Sequence, residues 1–302
     1  MQQKQNVIGL IIAAACMSLL FIQAESTAKQ NLGKARANLG RHLFYDTRLS
    51  YNLTKSCVSC HDPSMAFTDG YRTSSGADGY NVKHNAISLL NVKYRTKYTW
   101  ANPAVTNLQM QIQFPFFNEH PNELGWKGQE QVILNRFAVD SNYQQLFKLA
   151  FPGQKKPFNI INFQLALVAF EEQLVSFNAP YDQYLKGNKQ TLNAEAIAGM
   201  KLFNSAKLGC LKCHSWDKPF VKDESNFSLG IRIPSLRNVM ITAPYMHDGS
   251  AENIFAVFQH YEKKQSFNLS KTEQQELIAF FNALTDTSYL SNKELLNPFQ
   301  YK

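Results

Sequence analysis

The sequence predicts a mainly all-α protein built from two copies of one helical unit, joined with long ordered loops. Three observations carry that expectation. The pattern C-x-x-C-H occurs twice, as Cys57-Val58-Ser59-Cys60-His61 and Cys210-Leu211-Lys212-Cys213-His214. The text ahead of each copy repeats as well, with Gly40-Arg41-His42-Leu43-Phe44 before the first and Gly199-Met200-Lys201-Leu202-Phe203 before the second. Elsewhere apolar side chains recur at spacings of three and four, whereas alternating strand patterns are scarce.

Taken in order, the chain opens with Lys4, an almost unbroken apolar run from Val7 to Ile22, then Gln23-Ala24 and a polar stretch. This reads as a Sec signal peptide over residues 1–24, cut after about Ala24, and it places the protein in the periplasm. An uncleaved anchor is the alternative, although the run falls short of the ~20 residues that a bilayer span needs. Cys16 follows Ala13-Ala14-Ala15, a poor lipidation context. No later window is apolar enough to span a membrane, so none is expected in the mature form.

The Leu-Phe text before each cysteine motif reads as the end of a short helix. Tyr143, Leu146, Phe147 and Ala150 mark another helix. Leu167, Phe170, Leu174 and Phe177 mark the next, with Asn162 as its N-cap. Ser270 and Glu273 form a capping box ahead of Leu277, Ile278, Phe281 and Leu284. From the first motif to residue 130, Gly, Asn, Pro and Thr are frequent, which reads as ordered loops. The polar stretch Tyr181–Thr191 contains the expected boundary. It divides an N-terminal unit, 25–185, from a C-terminal unit, 186–302.

The 302 residues suffice for one large domain or two smaller ones, and 44% apolar content excludes disorder. Aromatic residues reach 13%, including 22 Phe, a composition suited to packing rings around something flat and apolar. Lys and Arg exceed Asp and Glu by 31 to 23, but no basic run is longer than two residues, so nucleic acid is not an expected partner. Five Cys are too few for a disulfide scaffold.

C-x-x-C-H is the attachment motif of c-type haem. Thioether bonds to the two porphyrin vinyls need two sulfurs one helical turn apart, and the adjacent His then reaches the iron as proximal ligand. Paired C-x-x-C zinc sites lie far closer together than these two copies. A thioredoxin-like motif needs a βαβ context that is missing, and two disulfides would not call for a His after each pair. Two covalent haems are therefore expected, on Cys57, Cys60 and His61 and on Cys210, Cys213 and His214.

Further residues carry a resemblance. Leu43-Phe44-Tyr45-Asp46, Ser56 to Pro63 and Ala66-Phe67-Thr68-Asp69-Gly70 resemble the first haem segment of the bacterial di-haem cytochrome c peroxidase/MauG superfamily. Pro234-Ser235-Leu236-Arg237-Asn238-Val239 and Thr242-Ala243-Pro244-Tyr245-Met246-His247-Asp248-Gly249 resemble its second-domain signature. The text from Trp100 to Gly125 looks most like the MauG-like MbnH branch, whose enzyme modifies a partner protein.

The resemblance implies a set of roles. The first haem is the peroxide site, with Gln111, Pro115 and Glu123 in its distal pocket. Two residues are inserted between Pro115 and Glu123, which makes Glu119 the runner-up acid. The family's resting-state distal His falls on Ala77, so the first haem is expected to be five-coordinate. His84 is read as structural. The second haem's distal ligand falls on Tyr261, with Met246 and then His260 as alternatives. Trp100 matches a Trp between the haems. Asn85, Thr242 and Pro244 match a calcium site, and His247 has no assignable role. The function so implied is a periplasmic di-haem enzyme. It uses hydrogen peroxide to reach a high-valent di-haem state and oxidises an aromatic residue of a small exported partner protein. The alternatives are a cytochrome c peroxidase, fed by a small cytochrome c or a cupredoxin, and a non-catalytic di-haem electron carrier.

Overall fold

A computed structural model describes residues 2–214, 227–228 and 230–300, with side chains at 23, 25–214 and 230–300. Helix α1, Gln2–Tyr45, is continuous through the expected signal segment. The side chains of 1–22 and 24, which that expectation rests on, lie outside the described ones. Helices α2, Leu108–Phe117, α3, Glu130–Ala138, α4, Ser141–Ala150, and α5, Ile160–Glu171, follow long loops. After α6, Pro180–Leu185, come α7, Ala194–Phe203, α8, Ile254–Gln265, and α9, Lys271–Asn282. The strands among the described residues form one short antiparallel hairpin, Phe227–Ser228 with Ile231–Arg232. Among them, no helix is long and apolar enough to cross a membrane.

Side-chain caps set where most helices start. Asn107, Asp140, Asn193 and Asn253 each accept from an amide of the first turn of α2, α4, α7 and α8. Ser270 and Glu273 form the expected capping box on α9. For α5 the cap is Asn159, three residues before the expected Asn162. Asn159 is extended and its side chain accepts from the Asn162 amide at 3.0 Å. Asn162 lies inside the helix, where its amide group donates to Gln154 and the Pro157 carbonyl. The helix stops at Glu171, so Leu174 and Phe177 do not continue it. Its last turn tightens, and the Leu174 carbonyl leaves to accept the Asn91 amide at 2.6 Å.

Two apolar cores form. The first gathers Leu39, Leu43, Phe44, Phe67, Phe116, Trp126, Phe163, Phe170 and others up to Leu174. The second gathers Tyr181, Leu192, Phe203, Phe258, Leu277, Phe280 and Leu284. Each buried Phe contributes about 1.5–3 kcal/mol relative to exposure. The end of the chain returns to the first core: Tyr289 and Leu295 are buried in it. Tyr289 donates to the Pro63 carbonyl at 2.9 Å and Tyr45 to the Leu295 carbonyl at 2.7 Å.

The sequence repeat corresponds to a repeated helix crossing. The end of α1 crosses α5 at Gly40, where a Cβ would lie 1.9 Å from the Ala166 carbonyl oxygen. Helix α7 crosses α9 at Gly199, where a Cβ would lie 1.9 Å from the Glu276 carbonyl oxygen. Beside each crossing a Phe–Phe pair packs, Phe44–Phe170 at 5.0 Å and Phe203–Phe280 at 5.7 Å between centroids. Asn91 and Asn238 repeat as well. Both adopt left-handed backbone, φ 61° and 60°, and both open a short 3-10 turn. The Asn238 amide donates to the Leu284 carbonyl just beyond α9, as Asn91 does to Leu174 beyond α5.

Candidate haem sites and their surroundings

Both cysteine motifs fold as one tight turn. The His61 amide donates to the Cys57 carbonyl at 3.0 Å and the His214 amide to the Cys210 carbonyl at 2.8 Å. The four motif cysteines form no disulfide, which removes the disulfide reading for them. Burial pushes the Cys60 and Cys210 thiols up to about 11.

The histidines are held in the same way. His61 Nδ1 lies 2.8 Å from the Phe67 carbonyl oxygen, so Nδ1 carries the proton and Nε2 keeps its lone pair. His214 bonds to the Pro234 carbonyl. Burial lowers His61 below the usual imidazole range and His214 to about 4, so both rings are neutral. Paired thiols beside a neutral, carbonyl-oriented imidazole suit covalent haem with a proximal His.

Of the expected distal residues, Glu123 lies within electrostatic reach of the first motif's cysteines. Gln111 and Pro115 sit one turn apart on α2. The Pro115 carbonyl accepts from the Leu124 amide at 2.9 Å, which clips the loop carrying Glu123 onto that helix. Trp126 continues the clip. Its amide donates to the Phe116 carbonyl at 2.8 Å and its ring stacks on Phe116 at 4.4 Å. Glu123 Oε1 accepts from Asn118 Nδ2 at 3.3 Å, and burial raises its carboxyl above the usual range against that bond. Its charge is felt at both Cys57 and Cys60. Glu119 is different. It is exposed and pairs with Lys127 at 2.8 Å, which lowers its carboxyl. Ala77 is buried against the Glu123 loop.

Sequence reasoning missed Glu171. Its carboxyl is buried, is pushed up to about 8 by that burial with Arg95 opposing, and acts on Cys57. Its Oε2 atom has no hydrogen-bond partner among the described residues. The only signal was an acid beside the apolar stripe of α5.

At the second motif, Tyr261 is a partly buried residue of α8. Burial raises its phenol, and Cys213 and Cys210 add to the rise, which puts the ring within electrostatic reach of the second cysteine turn. His260 beside it is exposed. Met246 stands in a left-handed turn, φ 70°, before His247.

Between the halves, Trp100 is buried and its indole N–H donates to the Asn85 carbonyl at 2.8 Å. The Arg232 guanidinium lies over its ring at 5.5 Å. The Asn85 amide donates to the His247 carbonyl at 2.9 Å, and Asn85 Nδ2 to the Tyr71 carbonyl at 2.9 Å. The ring of His84 lies 5.6 Å from that of His247. Thr242 Oγ1 donates to the Val239 carbonyl at 3.2 Å. Pro244 lines a cleft of about 460 Å³ with Gly70, Arg72, Gly249, Ser250 and Glu252. Among the described residues, no group of three or more His, Cys, Asp or Glu is placed to hold a metal ion. The donors expected for calcium are amide, hydroxyl and carbonyl oxygens, outside that class.

A family model described as di-haem cytochrome c peroxidase matches residues 34–190. The methylamine utilization protein MauG of Methylorubrum extorquens is 30% identical over 280 residues, covering 82% of this chain and 77% of its own. Cytochrome c551 peroxidase of Nitrosomonas europaea is 30% identical over 278 residues, covering 82% and 79%. Among solved structures, a MauG-like protein associated with microbial copper homeostasis superposes with a TM-score of 0.80 at 30% identity, covering 87% of this chain and 93% of that one.

Proposed function

Because the chain belongs to the di-haem cytochrome c peroxidase and MauG family, we propose that it is a periplasmic enzyme reducing hydrogen peroxide with electrons taken from an aromatic residue of a small exported partner protein. Membership makes it a haem-dependent oxidoreductase of the peroxidase type with two c-type haems. Bound haem supplies the iron that receives peroxide and a reservoir for the electrons withdrawn. Cys57 and Cys60 would tether one haem, with His61 on its iron; Cys210 and Cys213 would tether the other, with His214.

Peroxide reduction consumes two electrons and two protons and yields two waters. One proton must leave the attacking oxygen and reach the departing one. Glu123 takes it and returns it, because burial keeps its carboxyl nearer the working pH than an exposed acid would be. Gln111 and Pro115 wall that pocket, and α2 holds them in register with Glu123. Trp100, buried at the seam of the two halves, is the route by which electrons cross. Asn85, Thr242 and Pro244 would offer hard oxygen donors to a calcium ion at the same seam.

What supports the partner-oxidising reading is Tyr261, a partly buried residue of α8 within electrostatic reach of Cys210 and Cys213. As the distal ligand, a phenolate favours oxidised iron, so the second haem suits withdrawal of electrons rather than relay from a high-potential donor. A second reading rests on the likeness to cytochrome c551 peroxidase. It makes Met246 the ligand and a small cytochrome c or cupredoxin the donor. Tyr261→Met decides between them. The first reading expects a raised reduction potential at the second haem, loss of partner oxidation, and unchanged peroxide binding at the first. A wild type with a His/Met spectrum and brisk turnover with reduced cytochrome c would establish the second.

A further inference from the structure

The turn at residues 76–80 occupies the place where sequence reasoning found Ala77 instead of a distal ligand. It is closed by Gly76 N–H to the Tyr80 carbonyl at 2.8 Å and Gly79 N–H to the Gly76 carbonyl at 3.1 Å. It also grips the neighbouring acid loop. The Ala77 amide is shared between the carbonyls of Asn122, at 2.8 Å, and Glu123, at 3.0 Å. In return the Asn122 amide donates to Asp78 Oδ2 at 2.6 Å, while Asp78 Oδ1 accepts from the Tyr80 amide at 3.0 Å. Gly76 completes the fit, since a Cβ there would stand 2.5 Å from the Asn122 carbonyl oxygen.

Glu123 therefore sits between two fixed neighbours. Leu124 is held by Pro115 and by the Tyr51 amide, which donates to its carbonyl at 2.8 Å. Asn122 is held by Asp78 and Ala77. Only the first of these anchors belongs to α2. We propose that Asp78 is a positioning residue for Glu123: by binding the Asn122 amide it locks the 76–80 turn onto the acid loop and keeps the carboxyl in its water-poor pocket. The proposal rests on the role given above to Glu123.

A fixed loop and a partly buried carboxyl are linked physically. Misplacement by about 1 Å can cost a catalytic group up to about 100-fold, and a loosened loop admits water to the acid. Asn118 at the end of α2 bonds the Glu123 carboxylate, Glu123 in turn raises Cys57 and Cys60 in the cysteine turn, and Asp78 reaches the loop only through the Asn122 amide. Lys55 and Asp69 lie near enough to act on Cys60. Thioether formation removes the two cysteine titrations and leaves the carboxyls.

The test uses the holoenzyme and two readouts: the pH dependence of its reaction with peroxide, and hydrogen exchange at the Ala77 and Asn122 amides. Asp78→Ala should keep both haems, lose protection at both amides, and slow the reaction about 10- to 100-fold. Its acid limb should move to lower pH, as a hydrated Glu123 returns toward an ordinary carboxylate. Gly76→Ala should give the same pattern by prising the same contact apart, and it decides the matter if Asp78→Ala fails to take up haem. Asn81→Ala, which removes the side-chain bond to Thr73 and leaves the contacts between the 76–80 turn and the acid loop, should change neither readout. Lost amide protection with an unmoved acid limb would overturn the proposal and leave Asp78 a turn-forming residue. If Glu123→Gln itself leaves the limb in place, the role of Glu123 fails instead, which separates the two outcomes.

Discussion

The two halves of the molecule share a scaffold and part company one helix later. In each, a glycine lets two helices touch backbone to backbone, a Phe pair packs beside the crossing, and a neutral His follows a tight turn of two cysteines. A left-handed Asn then ties the chain to the end of the crossing helix. The next helix differs. In the first half it is α2, which brings Gln111 and Pro115 and receives the Glu123 loop. In the second half it is α8, which carries Tyr261 within electrostatic reach of the cysteines. The lesson is that haem attachment is built into the repeated frame, while the chemistry assigned to each haem is set by what one non-repeated helix carries.

The strongest way to break that comparison is at the first half's own helix. Glu123→Gln should retain two haems and slow the peroxide reaction by about 10²–10⁴, the usual range for a positioned acid–base group. Glu119→Gln should leave the rate unchanged, because that side chain is exposed and bound to Lys127. Stopped-flow traces of the two variants measure this directly. Reversed effects would transfer the role to Glu119.

A smaller effect tests the shared frame. Gly40→Ala and Gly199→Ala each force a methyl against a carbonyl oxygen at 1.9 Å, so each crossing must open. Overpacking of this kind costs about 1–3 kcal/mol. Thermal unfolding should show two losses of similar size. A loss confined to one variant would mean that the frames are not equivalent.

The smallest effect sharpens the seam between the halves. Asp286 is buried there and accepts from Ser176 at 2.8 Å, the Asn178 amide at 2.9 Å, and Ser288. Burial alone would raise its carboxyl, but bonds from Ser288, Asn178 and Ser176 outweigh it and hold the group below the usual range. A depressed folded-state pKa stabilises above the unfolded value of about 3.9 and is lost as pH falls through the folded one. The Tm of Asp286→Asn should therefore lie below wild type near neutrality. The gap should close as the pH falls below about 4. A gap that persists in acid would show that the carboxylate charge is not what holds the seam.

Much of this was legible in the sequence where the cause is local. The cysteine motifs, the Leu-Phe repeat and the Ser270–Glu273 cap act within a few residues, and each appears where the text places it, although the first Leu-Phe ends a helix of 44 residues where a short one was expected. The cap of α5 was misplaced because Asn159 and Asn162 are both good cap residues. Only the backbone decides between them, and Asn162 finds buried partners inside the helix. The repeat of Leu89-Leu90-Asn91-Val92 in Leu236-Arg237-Asn238-Val239 was written in the sequence too, but its meaning depends on carbonyls about 50 to 80 residues away in the chain, a separation that sequence periodicity does not report. The same holds for Gly40, Gly199 and the Asp78–Asn122 grip. Each is a contact between segments distant in sequence, and a glycine or an aspartate in isolation reads as an ordinary turn or helix residue.

The path of the last residues has a consequence for assembly in time. Tyr289 and Leu295 complete the first core, and Tyr45 and Pro63 wait for them as hydrogen-bond partners. During synthesis or any N-to-C passage, the half that emerges first thus cannot seal until the terminus arrives. The second half, among the described residues, gathers its own apolar core by Leu284. The order of emergence and the order of completion of the two cores are therefore opposite, and the first cysteine motif stays longer beside an unfinished core.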